Sequence, residues 1–364
     1  MQTPREQIHS LTGLRGLAAG WVMLMHFREV TPTRIWKFPV LDQVIANGAY
    51  GVDIFFVLSG FILCHVYARS FSAGLTAGES RRFLTNRFAR IYPVHLVTFA
   101  VMLGLFTAKL FTSGSSGLPD RYDPVTVLTT LTLTNAWLPG VQTPNMPAWS
   151  VSAEWFAYLL FPALCALLWR RRWVLGAYLA AGLALAFFKP LGNYGLTHVL
   201  SGFLVGMAAY RILPFTRRFT THRFLGLALI AAIVLWSQRT DPPVAIGLLL
   251  FSALILTLVD PRDFLSQFLS WPVIIYLGEI SYSLYMVHWP VRIIIRNGFQ
   301  LLGILDTLAP SRLVALYVLV TLIAAMVSYR YVELPGRTLL RRAAAYWEGR
   351  IRPIARVAPL TPSE

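Results

Sequence analysis

Long apolar stretches separated by short polar segments recur along the whole chain. We count ten of them, at 11–27, 49–68, 93–112, 149–169, 173–189, 196–213, 223–237, 243–259, 272–296 and 311–332. A membrane-spanning helix needs about 17–25 mostly apolar residues, and most of these stretches approach or reach that length. The pattern therefore predicts an all-α protein, a polytopic transmembrane helical bundle of about ten spans.

The first apolar stretch, LTGLRGLAAGWVMLMHF at 11–27, contains two ionisable residues, Arg15 and His26. Their spacing is close to three full helical turns, so both side chains project from one face, about 16 Å apart along the axis. An ionisable residue within a span usually faces the bundle interior or a water-filled cavity. The shared face predicts a functional groove. The simpler alternative is that Arg15 reaches the lipid headgroups and His26 only ends the span.

Composition places the chain among membrane proteins. It is 56% hydrophobic and 13% charged, with a mean hydropathy of +0.59. A net charge of +16 could indicate a nucleic-acid partner, but the basic residues lie in short clusters between apolar spans, as the positive-inside rule requires. We therefore expect a lipid bilayer and no nucleic acid as partner. Cys64 and Cys165 both fall within predicted spans, so we expect neither a disulfide framework nor a metal site.

Lys and Arg residues also predict the orientation. If both termini are cytoplasmic, the inner connections contain more than twice as many of them as the outer connections. We expect no cleaved signal peptide, because Arg15 interrupts the first span and no small-residue cleavage site follows it. The predicted organisation is a transmembrane domain at 1–336 and a basic cytoplasmic tail at 337–364, with a short interfacial helix before a disordered end.

This orientation gives each polar residue within a span an expected depth. Two imidazoles and two carboxylates from four spans are expected in the outer half: His26, Asp53, Glu154 and His288. Ser59 is expected near the middle of the second span. The arginines gather at the inner side: Arg15, Arg81, Arg82, Arg87 and Arg90.

The two groups suit different chemistry. Guanidinium groups form bidentate, charge-assisted hydrogen bonds with phosphate, and an imidazole beside a carboxylate can take a proton from a hydroxyl. The sequence thus predicts a phosphorylated donor bound from the cytoplasm and a hydroxylic acceptor in the outer half. Structural alternatives stay open: Arg81 and Arg82 as topology determinants, Asp53 as a helix cap, Ser59 as a packing residue, and His288 as a structural hydrogen-bonding residue.

The same residues resemble the motifs of the acyltransferase 3 family of integral membrane acyltransferases. The matching segments are LTGLRGLAAGWVMLMH at 11–26, GVDIFFVLSGFIL at 51–63, RFARIYP at 87–93, PAWSVSAEWFAYLLFP at 147–162, GEISYSLYMVHWP at 278–290 and YRYVELP at 329–335. They follow the family's order and reach both ends of the chain, whereas the fifth to eighth spans match only in hydropathy. Many relatives carry a further extracytoplasmic hydrolase-like domain after this region. The sequence contains no such segment, so we expect no second, downstream transfer site in this chain.

The resemblance implies transfer of an acyl group, usually acetyl, from cytoplasmic acyl-CoA to a hydroxyl on an envelope glycan, a lipid or a secreted small molecule. His26 would be the essential catalytic residue with Arg15 beside it, and Arg87 and Arg90 would contact coenzyme A. We place Ser59 with these donor-binding residues. Glu154 and His288 would orient His26 or the acceptor.

We therefore expect an acetyl-CoA-dependent O-acetyltransferase of the bacterial cytoplasmic membrane, without a metal, acting in polysaccharide biosynthesis. Two alternatives predict different behaviour. A proton-coupled transporter or flippase would use His26, Asp53 and Glu154 as a proton relay. A non-catalytic scaffold of a synthesis complex would tolerate loss of His26.

Overall fold

A computed structural model of the protein describes residues 7–29, 38–113, 120–171, 173–188, 194–216, 222–303 and 309–351. Within these ranges every regular element is helical and no strand is found. The prediction of an all-α protein is therefore confirmed.

Fifteen α-helices form the described part of the chain. The first eight are α1 His9–Arg28, α2 Pro39–Ala46, α3 Tyr50–Ser72, α4 Ala77–Ser113, α5 Pro124–Leu131, α6 Ala148–Arg170, α7 Trp173–Phe188 and α8 Tyr194–Thr216. The others are α9 Leu225–Trp236, α10 Val244–Leu258, α11 Phe264–Leu269, α12 Pro272–Glu279, α13 Ser281–Leu301, α14 Pro310–Ser328 and α15 Leu334–Ile351. Two 3₁₀ turns flank α5, at Asp120–Tyr122 and Asn135–Trp137, and a π-helical turn at Tyr329–Glu333 joins α14 to α15.

Five helical stretches in the described ranges are long and apolar enough to cross a membrane: Tyr50–Ser72, Ala77–Leu110, Ala148–Arg170, Tyr194–Thr216 and Pro310–Trp347. Helices α7, α9 and α10 are apolar but shorter. Helices α1 and α13 belong to neither group, because Arg15 and His26 in α1, and His288 and Arg292 in α13, lower their mean hydropathy. The helices fit a membrane bundle, and the count of ten spans stays a prediction.

Two boundaries differ from the sequence prediction. Helix α4 continues through Pro93, so Arg87 and Arg90 lie on a helix rather than in a connection. The apolar stretch 272–296 is not one continuous helix, because the helix is interrupted at Ile280, between α12 and α13. Since α12 rises only about 12 Å, it is too short to cross a membrane, and α13 carries His288 through the bundle.

Helix α1 lies at the centre of the bundle and packs against α3, α12 and α13. We call the end where α1 begins the lower end, and the end where it finishes the upper end. At the lower end, the Ser10 hydroxyl donates to the Leu258 carbonyl of α10 at 2.6 Å. Near the upper end, the Trp21 indole donates to the Val44 carbonyl of α2 at 2.6 Å. Helix α1 is thereby fixed along its length, with Arg15 in its lower half and His26 in its upper half.

Helices α3 and α8 pack closely against each other. A Cβ atom added to Gly206 of α8 would lie 2.1 Å from the Val57 carbonyl oxygen, and one added to Gly60 of α3 would lie 2.2 Å from the Phe203 carbonyl oxygen. Small residues let helix backbones approach this closely within a membrane. These two contacts therefore set the distance between α3, which carries Ser59, and its neighbour.

We predict that Gly206→Ala destabilises the protein, because the added methyl group forces α3 and α8 apart. Overpacking of this kind costs about 1–3 kcal/mol. Gly104 on α4 has open space around its Cα, and Gly104→Ala should be neutral or stabilising because alanine favours helices. Thermal unfolding of the purified protein in detergent measures both variants. Equal unfolding temperatures for the two variants would contradict the packing described here.

Candidate active site

Two histidines from distant parts of the chain meet in the upper half of the bundle. Nδ1 of His26 on α1 lies 3.1 Å from Nε2 of His288 on α13. The rings stack with centroids 5.1 Å apart, and both side chains are buried. One nitrogen must donate to the other, so the shared proton is carried either by Nδ1 of His26 or by Nε2 of His288.

An arginine and a glutamate lie beside this pair. Arg292 is buried, its guanidinium lies 4.5 Å from the centre of the Trp289 ring, and it donates to Glu29 at 3.1 Å. Arg292 lies inside α13, which continues to Leu301. Helical spacing could have identified this contact: Arg292 follows His288 by four residues, and Glu29 follows His26 by three.

A cavity of about 100 Å³ lies lower in the bundle. Arg15 and Glu154 line it, together with all the residues predicted to bind the donor, Ser59, Arg87 and Arg90. These residues come from four helices, α1, α3, α4 and α6. A larger cavity of about 930 Å³, between the lower ends of α1, α3, α8 and α10, contains none of the predicted site residues.

Glu154 belongs to the arginine-lined cavity and not to the histidine pair. It accepts a hydrogen bond from the Ser59 hydroxyl. This contact gives no support to the prediction that Glu154 orients His26, and its alternative role, orienting the acceptor, stays a prediction. Helix α6 begins at Ala148, so Glu154 lies about 9 Å further along its axis. Among the described residues, the side chain that is hydrogen-bonded to the His26 ring is another histidine rather than the expected carboxylate.

Two arginines of the cavity are held by neutral groups. Arg15 donates to the Ser281 hydroxyl of α13 at 3.2 Å. Arg87 donates to the Tyr67 hydroxyl at 3.4 Å, and its guanidinium lies within about 6 Å of the ring centres of Tyr67, Phe83 and Tyr158. Since neither hydrogen bond is to an anion, both guanidinium groups keep their capacity to bind one.

Arg15 and His26 point towards the same neighbour, as their spacing predicts. Arg15 contacts Ser281 and His26 contacts His288, both on α13. The seven-residue spacing on α13 is two helical turns, so the two contacts follow one face of that helix. One side of α1 thus carries both residues into the bundle interior.

Tyr285 lies between the arginine-lined cavity and the histidine pair. It lines the cavity, and its ring centre is 5.9 Å from that of His288. Its hydroxyl lies 2.8 Å from the Ser150 hydroxyl and donates to the Pro147 carbonyl at 3.1 Å. His26 and His288 do not line the cavity. A group in the cavity therefore meets Tyr285 before it meets a histidine, a separation that the sequence analysis did not predict.

Asp53 lies in neither place. One of its carboxylate oxygens is 2.8 Å from Nδ1 of His198 on α8, and both side chains are buried. Asp53 is within the first turn of α3, but it joins α3 to α8 rather than capping its own helix. The expected convergence of Asp53 with His26 is wrong. A relay through His26, Asp53 and Glu154 has no support, because the three residues lie in separate hydrogen-bonded groups.

Glu333, in the π-helical turn, is a site residue to which the sequence analysis gave no role. It is buried and accepts from the Ser283 hydroxyl at 2.7 Å. It is close enough to Arg15 and Arg90 for their charges to act on it. The segment YRYVELP contains this residue, so its place in a matching motif was the available signal.

Comparison with known proteins identifies a family and several relatives. The sequence model of the acyltransferase 3 family, described as an acyltransferase domain, matches residues 8–330. The chain is 28% identical to the acyltransferase MdmB of Streptomyces mycarofaciens, over 96% of this chain and 94% of that protein. It is 26% identical to the putative peptidoglycan O-acetyltransferase YrhL of Bacillus subtilis, over 91% of this chain and 55% of that protein.

A third relative, a putative O-acetyltransferase of Staphylococcus aureus, is 23% identical over 91% of this chain and 57% of its own length. The chain thus spans nearly all of the first relative and little more than half of the other two. No solved structure matches the chain. Because the family match covers nearly the whole of the helical bundle, the chain belongs to the acyltransferase 3 family of integral membrane acyltransferases.

Proposed function

We propose that the protein is a membrane O-acyltransferase that moves an acyl group from acyl-CoA to a hydroxyl of an envelope glycan or lipid-linked sugar. The observation that carries the proposal is that one face of α1 contributes residues to two different parts of the site. Arg15 on α1 lies in an arginine-lined cavity, and His26, three turns further along, lies in a buried histidine pair. One end of the site suits a phosphorylated donor, and the other suits proton transfer from a hydroxyl.

The donor is assigned from charge. Arg15, Arg87 and Arg90 line one cavity, where Glu154 is the acidic member of the lining. Arginine binds phosphate through bidentate hydrogen bonds, and coenzyme A carries three phosphate groups. Two of the relatives are named as putative O-acetyltransferases, so acetyl is the acyl group we propose. The excess of Lys and Arg between spans supports placing the arginine-lined end and both termini in the cytoplasm.

His26 would act in one of two ways. As a general base, it takes the acceptor's proton while the acceptor oxygen attacks the thioester carbonyl. The carbon–sulfur bond breaks, and the imidazolium returns the proton to the coenzyme A thiolate. As an acyl carrier, His26 nitrogen attacks the thioester first and coenzyme A leaves as a thiolate. The acceptor hydroxyl then attacks the acyl-imidazolium, neutral His26 is released, and the hydroxyl proton passes to the coenzyme A thiolate.

His288 would set the protonation pattern for either route. A lone pair on Nε2 of His26 requires its ring proton to be on Nδ1, which must then donate to Nε2 of His288. The observed 3.1 Å contact joins these two atoms. His288 would therefore be a positioning residue, and a neutral one, unlike the carboxylate that orients histidine in serine hydrolases.

The acceptor class follows from names and chemistry together. The Bacillus subtilis relative is named for peptidoglycan, a glycan rich in hydroxyl groups. A histidine in the upper half of the bundle would meet a polar acceptor that comes from the outer side. We propose a bacterial cytoplasmic-membrane location for this reaction, with the glycan outside and the donor inside.

We predict that His26→Ala lowers acetyl transfer by about 10²–10⁴-fold, the range typical of a lost acid–base residue. The assay follows labelled acetyl from acetyl-CoA into envelope glycan in purified membranes. The matched control is His222→Ala, because His222 is exposed beside α9 and far from the histidine pair in the chain. Full transfer by an intact His26→Ala protein would exclude both catalytic routes.

We predict that Arg87→Gln raises the KM for acyl-CoA about 10–100-fold and changes kcat much less. A charge-assisted hydrogen bond contributes about 1.5–3 kcal/mol, and each 1.4 kcal/mol is a factor of ten in binding. Arg82→Gln is the control, because Arg82 is exposed on the same helix. Steady-state kinetics with varied donor concentration separates the two parameters. Equal losses of kcat and kcat/KM in Arg87→Gln would exclude a role confined to donor binding.

A further inference from the structure

Helix α15 carries two arginines, Arg337 and Arg341, on one face. Both side chains are half-buried, and Nε of each is fully buried. Neither Nε has a hydrogen-bond partner in the part of the chain that the structure describes. Buried donors on charged groups are costly to leave unpaired. These two arginines therefore require a partner that supplies acceptor oxygens.

The partner must lie where α15 meets α4. A Cβ atom added to Gly336 would lie 2.6 Å from Cβ of Pro93, so the two helices touch at this point. Pro93 follows Arg90 by three residues and Arg87 by six. Arg337 and Arg341 follow Gly336 by one and five residues. At 1.5 Å per residue, Arg87 and Arg341 are about 9 Å and about 7.5 Å from the point of contact.

Arg337 and Arg341 lie near the arginines of α4. Each is close enough to both Arg87 and Arg90 for their charges to act on it. The Nε of Arg87 is also buried without a hydrogen-bond partner among the described residues. Two helices thus bring four guanidinium groups close to one another.

The charges of this cluster do not balance. Its cations are Arg15, Arg87, Arg90, Arg337 and Arg341, and its anions are Glu154 and Glu333. Glu333 is held by the Ser283 hydroxyl, and Glu154 by Ser59. The remaining positive charges repel one another at short range, so a ligand with several negative charges would relieve the repulsion. Phosphate matches both the charge and the fork geometry of guanidinium.

We propose that α15 supplies the second half of a phosphate-binding site, in which Arg337 and Arg341 bind the phosphate groups of acyl-CoA opposite Arg87 and Arg90. This inference rests on the proposed function, because it extends the donor site. Membrane lipids offer the same chemistry. The exposed Tyr346 and Trp347 near the end of α15 are residue types typical of a lipid headgroup region. The experiment must therefore distinguish coenzyme A from lipid phosphate.

The test measures equilibrium binding of coenzyme A, without turnover, to the full chain in nanodiscs. One set contains only zwitterionic phosphatidylcholine, and a second contains added anionic phosphatidylglycerol. Arg337→Gln and Arg341→Gln should each raise the Kd for coenzyme A at least tenfold in both lipids, the loss expected for one charge-assisted contact. Arg342→Gln is the matched control, because Arg342 is exposed on the same helix, and its Kd should equal that of the unmodified protein.

The variants Arg337→Lys and Arg341→Lys control for a loss of binding that is caused by misfolding. They keep the charge but lose the bidentate fork, so each should give an intermediate Kd. Unchanged Kd values in the glutamine variants would overturn the proposal. A rise in the Kd for coenzyme A that occurs only in nanodiscs with phosphatidylglycerol would also overturn it, because the arginines would then bind the phosphate of anionic lipid. Absence of coenzyme A binding by the unmodified protein would instead refute the donor in the proposed function, and this site with it.

Discussion

The architecture depends on the need of α1 to bury two polar side chains within an apolar bundle. A guanidinium and an imidazole within a span are stable only where another helix supplies hydrogen-bonding partners. Helix α13 supplies both, through Ser281 for Arg15 and His288 for His26. The break at Ile280 is part of the same arrangement, because α13 then begins directly at Ser281. The pairing of α1 with α13 thus fixes where both halves of the site lie.

The two halves of the site are separated in a way that suits transfer between a charged donor and a polar acceptor. The arginines and Glu154 lie around the cavity, and the histidine pair lies beyond Tyr285. In the proposed reaction, the thioester would approach His26 past the Tyr285 ring while the phosphate groups stay with the arginines. Tyr285 is anchored by Ser150 and Pro147, both at the start of α6, so movement of α6 against α13 would change the width of this passage.

The sequence predicted what helical periodicity and hydropathy control. The all-α bundle, the shared face of Arg15 and His26, and the grouping of Arg15, Arg87 and Arg90 all follow from spacing and charge. The differences concern depth and partners. Glu154 lies with the arginines and Asp53 pairs with His198, because a residue count along one span does not determine which side chain of another helix it meets. Arg292 and the break at Ile280 depend on tertiary packing, which hydropathy does not report.

The central claim is that the acyl group reaches the histidine pair while the arginines bind the phosphate groups of its donor. An acyl-CoA analogue with a photoreactive diazirine at the far end of its acyl chain tests it most directly. Irradiation followed by peptide mass spectrometry should place the label on α1 or α13 near His26 and His288, and excess coenzyme A should remove the label. Label confined to the surroundings of Ser59 and Glu154, or to the lipid-facing surfaces of the helices, would contradict the account.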